Sequence, residues 1–247
     1  MICKFCREET ELISAHIIPK SFYDIKDNNF SLKIITDMDG HFPKRSQTGV
    51  YDKEILCKKC DNNFGLLDQY ATENFLRAKN VAELRDGNVA IARSYKDTEQ
   101  SKIFDFALSI LLRASWSKTV FFHRVMLGPY QELLENYFRN EEELSSAVDI
   151  IVAEYDEKVP LMDPHRTRLD GVNFWSLYAN RFIFYIKVDS KKIPEDFCGT
   201  SIRTSPSLLT IVRQWRGSKQ REVMQAVARR VNEKYGLVPR KSSPQYG

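Results

Sequence analysis

Cys3-Lys4-Phe5-Cys6 and, further on, Cys57-Lys58-Lys59-Cys60-Asp61-Asn62-Asn63-Phe64-Gly65 are the stretches on which the reading of this chain turns. Each Cys-x-x-Cys pair closes a tight turn that aims two sulfurs at one point, and two such pairs supply the four thiolates of a tetrahedral zinc site. A site with four protein ligands is closed to water and substrate, so the zinc expected on Cys3, Cys6, Cys57 and Cys60 is structural. Between the pairs stands the run Ser14-Ala15-His16-Ile17-Ile18-Pro19, which places a histidine beside the metal staple.

Working outward, residues 1–74 are expected to form a zinc module. Leu12 to Ile18 reads as a strand ended by Pro19, and the stretch from Tyr23 to Gly49 reads as a polar insertion with a strand near Leu32 to Thr36. From Asp61 the apolar residues Phe64, Leu67, Tyr70 and Ala71 recur at helical spacing. Residues 75–247 are expected to form a larger α+β domain. There Ile103 to Phe122 is apolar all round, as in a buried helix, and Tyr130 to Arg139 is amphipathic. Strands are expected at Asp149 to Tyr155, Asn173 to Tyr178, Phe182 to Val188 and Leu208 to Val212, with an amphipathic helix at Ser218 to Tyr235. The fold class is therefore α+β.

Composition narrows the function. The 247 residues include 43% hydrophobic residues, enough for a real core, and no apolar run long enough to span a bilayer, so no membrane role is expected. The amino terminus enters the first cysteine pair directly and the cysteines are spaced for metal rather than disulfides, which points to the cytoplasm. The fifth cysteine, Cys198, reads as a small buried hydrophobe. Net charge is +4, but residues 203–247 hold ten Lys and Arg against two Glu. Phosphate would be attracted there, and Lys219, Arg221, Arg229 and Lys234 on the last helix are the candidate nucleic-acid contacts. The aromatics Phe174, Trp175, Tyr178, Phe182, Phe184 and Tyr185 are expected to pack a sheet. His41, His123 and His165 are read as loop residues without a role.

Together the first cysteine pair, His16-Ile17-Ile18-Pro19 and Cys57 to Gly65 resemble the HNH endonucleases, in the subgroup with Cys-x-x-Cys, His-Ile-Ile-Pro and Cys-x-x-Cys-Asn-Asn-x-Phe-Gly. The resemblance lies in the amino-terminal module alone. It implies a ββα-metal finger in which His16, at the end of the first strand, is the general base that takes a proton from water. A divalent ion, Mg²⁺ or Mn²⁺, then stabilises the charge that develops as a phosphodiester in DNA is cut. Imidazole titrates near neutrality, which suits that role. The family pattern has Asp or Glu before the histidine, where this chain has Ala15; it has Asn or His after the last cysteine, where this chain has Asp61, a hard oxygen ligand. Asp61 is thus the candidate catalytic metal ligand, with Asp68 two turns along the same face as a weaker one and Asp52 as the brace of the histidine loop. Asp61 as a plain helix cap is the competing reading of that residue. By analogy the architecture suits a bacterial restriction or phage-defence nuclease, acting as a homodimer or with a partner protein. The alternative is a zinc-stapled module, catalytically inactive, that binds nucleic acid or protein.

Overall fold

The computed structural model describes residues 1–23, 32–34, 44–46, 49–157, 159, 161–222, 225, 226 and 229. Side chains are described for all of these except 32–34 and 44–46. Lys234, most of the expected last helix, His41 and most of the insertion lie outside them; within the insertion, β2 (Leu32–Ile34) pairs antiparallel with β3 (Lys44–Ser46).

The amino-terminal part is built on hydrogen bonds between its two cysteine turns. The first turn closes through Cys3 N–H to Glu8 O (3.0 Å) and Arg7 N–H to Cys3 O (3.0 Å), with Arg7 at a left-handed φ of 61°. It docks on the second through Lys4 N–H to Ile55 O at 2.8 Å. The expected strand from Leu12 to Ile18 shrinks to β1 (Ala15–His16), which pairs antiparallel with β4 (Tyr51–Asp52). Its flanks make isolated contacts instead: Ile13 N–H reaches Leu56 O at 3.0 Å, and Ala15 N–H turns back to Ile13 O at 3.0 Å. Helix α1 (Lys58–Ala71) begins earlier than the apolar periodicity suggests. Cys57 is its N-cap, so the cysteine turn itself starts the helix, and Asp61 N–H already donates to Cys57 O at 2.9 Å. Asp61 is therefore a residue of the first turns and not a cap.

The chain continues from α1 through a π-helical turn, Thr72–Leu76, in which residue 74, the expected meeting point of the two units, is embedded. The buried ring of Phe75 in this turn lies 4.1 Å from that of Phe182. Helix α2 (Gln100–Trp116) is buried around most of its circumference, as its apolar composition predicts, and packs on α1. Phe106 of α2 meets Phe22 at 5.1 Å on one side and Phe184 at 5.8 Å on the other, so the helix joins the amino-terminal elements to the sheet. A single set of buried apolar side chains runs from Cys3 and Phe64 through Phe75 and α2 to Phe184. Each fully buried side chain of this size contributes about 1.5–3 kcal/mol.

The sheet has seven strands in the order β5-β6-β11-β7-β10-β9-β8. These are β5 (Val81–Asp86), β6 (Val89–Tyr95), β7 (Val148–Tyr155), β8 (His165–Leu169), β9 (Val172–Ala179), β10 (Phe182–Val188) and β11 (Leu208–Arg213). All neighbours are antiparallel except β11 and β7, which are parallel. Helix α3 (Tyr130–Phe138) covers the outer side of α2. The β5–β6 hairpin and β8 escape the sequence reading: β8 is mostly polar, and the hairpin extends into solvent with an alternation blurred by alanines. Its turn was the available signal, since Asp86-Gly87 with Gly87 at a φ of 56° is hairpin chemistry. All six strand aromatics expected in the core are buried there.

Candidate metal and catalytic site

The ligand sulfurs of Cys3, Cys6, Cys57 and Cys60 all lie within 4.8 Å of one another. Tetrahedral zinc with bonds of about 2.3 Å separates its sulfurs by roughly 3.8 Å, so the tetrad fits the ion in both donor type and spacing. Burial works against the Cys3 thiolate, but the backbone amides of Cys57, Cys6 and Phe5 that point at its sulfur bring the thiol down to about 7. Burial and the neighbouring sulfurs push the Cys60 thiol up. Four thiols gathered in this way without a cation resist ionising together; a divalent ion removes the conflict and displaces their protons. The second pair also sits at the amino end of α1, where the helix dipole favours negative charge.

Helix α3 clamps the first turn from outside. Glu135 accepts hydrogen bonds from Arg7 Nη2 (3.0 Å), Arg139 Nη2 (3.2 Å), Trp116 Nε1 (3.0 Å) and Gln131 Nε2 (2.9 Å). Arg139 also donates to Phe5 O at 2.9 Å. Burial tends to raise the Glu135 carboxyl, and the four donors overcome that and hold it below its ordinary value.

His16 is half-buried at the end of β1, opposite Tyr51 in the β4 register, with the two rings 6.1 Å apart. Its backbone is pinned from α2, because Arg113 Nη1 donates to His16 O at 2.9 Å. The same guanidinium forms a two-pronged pair with Asp68, at 2.8 and 2.6 Å, and is only 1% exposed. Asp68 is thus the salt-bridged residue of the pair rather than an open ligand. Asp61, one face and two turns earlier on α1, is half-buried: burial raises its carboxyl, Asp68 adds to the rise, and the charges of Arg113 and His16 oppose it. Asp61 and His16 therefore share one electrostatic neighbourhood, with Arg113 behind both.

Two other sequence readings meet different fates. Asp52 is buried in β4, where its carboxylate accepts from Glu54 N–H (2.8 Å), Ser117 Oγ (2.8 Å) and Lys118 N–H (3.3 Å) and so ties β4, the strand paired with that of His16, to the end of α2. Arg113 was not anticipated; its signal was a lone arginine directly after the apolar run Ile110-Leu111-Leu112 of a buried helix, which demands a carboxylate partner. Of the tail residues, Lys219 and Arg229 are exposed and Arg221 is half-buried, on positions that are helical. Three basic residues counted in the tail's charge have internal partners: Arg203 donates to Leu144 O and Ser145 O, Arg213 to Tyr185 Oη, and Arg216 lies 3.7 Å from a Glu157 carboxylate oxygen. Among the described residues no helix is long and apolar enough to cross a membrane.

The fold is mixed α and β, with a four-cysteine cluster that fits a metal ion such as zinc. No protein-family model, no curated protein and no solved structure matches the chain.

Proposed function

We propose that the protein is a metal-dependent endonuclease that hydrolyses phosphodiester bonds in DNA. The observation that carries this reading is the effect of His16 on Asp61: the charge of a strand-end imidazole opposes the rise that burial imposes on a half-buried carboxylate of the helix that starts at the second cysteine pair. His16 would take the proton from the attacking water, in the general-base role that contributes a factor of about 10² to 10⁴. Asp61 would hold the divalent ion, Mg²⁺ or Mn²⁺, which supplies charge stabilisation to the departing oxygen. Arg113 would position both, through the His16 carbonyl and through Asp68 beside Asp61. Zinc on the four cysteines would build the frame and take no part in the chemistry. Lys219, Arg221 and Arg229, together with Lys234, would dock phosphates without reading sequence.

One observation favours the second reading, a zinc-stapled binding module without activity. Asp68 is committed to Arg113 and position 15 is alanine, which leaves Asp61 as the carboxylate available beside His16 among the described residues. Mg²⁺ often binds through one or two carboxylates and keeps its remaining waters, so a single carboxylate is compatible with activity. Incubating the purified chain with supercoiled plasmid, with and without Mg²⁺ or Mn²⁺, separates the two. Nicked or linear product that requires the ion is the expected result; intact plasmid under every ion, with retention on DNA, would establish the binding module.

A further inference from the structure

The two faces of the seven-stranded sheet differ in kind. The face toward α2 carries Val152, Leu177, Phe182, Phe184 and Ile186, and its one buried acid, Glu154, is fully partnered. The strand register places Tyr155, Tyr178, Tyr185 and Arg213 together on the opposite face. Arg213 is the β11 partner of Tyr155, Tyr185 pairs with Ile151 two positions before Ala153, and Ile183 stands between Ala153 and Tyr178. Met162 and Trp215 cover these residues, with the Trp215 ring edge-on to that of Tyr155 at 5.0 Å.

Polar groups on this covered face lack what buried polar groups normally have. The hydroxyls of Tyr155 and Tyr178 are buried, with the residues 0% and 1% exposed; neither meets a partner at hydrogen-bond geometry among the described residues, and Ser218 lies beside that of Tyr155 closely enough to favour its ionised form. An unsatisfied buried hydroxyl is destabilising by about 1–3 kcal/mol, and such groups are rare in folded proteins. Here two occur together. Arg213 lies over the Tyr155 ring at 5.8 Å from its centroid, and its hydrogen-bond partners are neutral: Tyr185 Oη and, at 3.4 Å, Gln220 Oε1. Its charge also acts on both Tyr155 and Tyr178. Burial raises both phenols, Tyr155 to about 12 and Tyr178 further, so both remain hydroxyl donors at neutral pH.

We propose that this face binds a small ligand with an oxyanion head, a phosphate or a carboxylate, held by Arg213 and the hydroxyls of Tyr155 and Tyr178. A permanent cation with neutral partners and two idle donors is the complement of an anion with several acceptor oxygens. The rings of Tyr155 and Trp215 provide flat apolar surface for the rest of the ligand. Because both hydroxyls are buried, the site suits the head group of a small molecule and not a nucleic-acid strand. Gln220 connects Arg213 to the start of the basic tail, so occupancy would be felt there. The inference stands independently of the nuclease reading.

The test is thermal unfolding and Trp fluorescence of the full chain titrated with inorganic phosphate, a nucleoside monophosphate and a dicarboxylate, against sodium chloride at equal ionic strength. At least one of the three is expected to raise the melting temperature saturably beyond the chloride control; which one identifies the head group and shows whether an attached ring adds affinity. Tyr155→Phe with Tyr178→Phe should melt no lower than wild type without ligand, since the lost hydroxyls have no partner, and should bind about tenfold or more weakly. Arg213→Gln should abolish the shift, and Arg213→Lys should restore part of it. No saturable shift with any probe would overturn the proposal. So would a double phenylalanine variant that melts well below wild type in the absence of ligand, because the hydroxyls would then already be satisfied by ordered water.

Discussion

The cysteine–histidine region and the α2 face of the sheet both bury charge, but they treat it in opposite ways. In the sheet Glu154 is fully buried, and its two oxygens accept from Arg93, Tyr95, Arg181 and Thr210, so the chain itself supplies all its partners. Around the cysteines the balance is incomplete: four thiols crowd one point, and burial raises Asp61 despite Arg113 and His16 nearby. A buried charge that the chain satisfies alone is structural. One that remains in conflict marks the place where the fold has left something for a metal, a proton or a ligand to complete.

The sharpest way to break this comparison is to remove one thiol. Cys57→Ser should lose zinc and unfold the amino-terminal elements, because structural zinc contributes on the order of 10 kcal/mol and Cys57 stands at the N-cap of α1, so that the metal would anchor the helix start. Elemental analysis with circular dichroism checks it; a well-folded variant without zinc would show that the tetrad is dispensable.

Glu154→Ala and Asp61→Asn should then move in opposite directions. The first strips a buried partner from Arg93 and Arg181 and should destabilise by about 3–5 kcal/mol. The second removes a charge that burial disfavours, so at pH 7 it should leave stability unchanged or raise it while weakening the response to Mg²⁺. Denaturant midpoints for both variants give the comparison, and equal losses would contradict it.

The clamp at α3 yields a smaller, pH-dependent effect. Glu135 is held below its ordinary value of 4.5, so its contribution is present above that pH and is lost as pH falls through the lower folded value. Glu135→Gln should therefore flatten the acid limb of the stability profile, by about 1–2 kcal/mol relative to wild type. The tail should show the weakest effect: alanine at Arg221 and Arg229 should reduce the salt slope of DNA binding by roughly one unit per lost contact, with little change in turnover of bound substrate. Gel-shift series across salt decide this, and unchanged slopes would mean that the helix face is only solvated.

What could be read from the sequence follows the density of constraint. The tetrad was legible because thiolate spacing admits few alternatives; the four expected strands and α2, which ends at Trp116 and not at Phe122, were legible because buried elements are predominantly apolar, and α3 because its pattern is amphipathic. The start of α1 was misplaced because apolar periodicity begins at Phe64, whereas the cysteine turn at Cys57 already begins the helix. The β5–β6 hairpin was missed because its strands are largely exposed and its burial contrast is weak. Arg113 and Asp68 could not be paired from sequence, since their contact depends on how α1 lies against α2. The idle hydroxyls of Tyr155 and Tyr178 are invisible for the same reason: as letters they are ordinary strand aromatics, and only the surrounding packing reveals what they lack.

The central claim is that zinc builds the site and His16 acts in it. Its most direct test is the rate of Mg²⁺-dependent plasmid cleavage by His16→Ala, with zinc content measured on the same sample. One zinc per chain in both proteins and a loss of about 10² to 10⁴ in rate is the expected result. Cleavage by His16→Ala at the wild-type rate, with zinc intact, would contradict it.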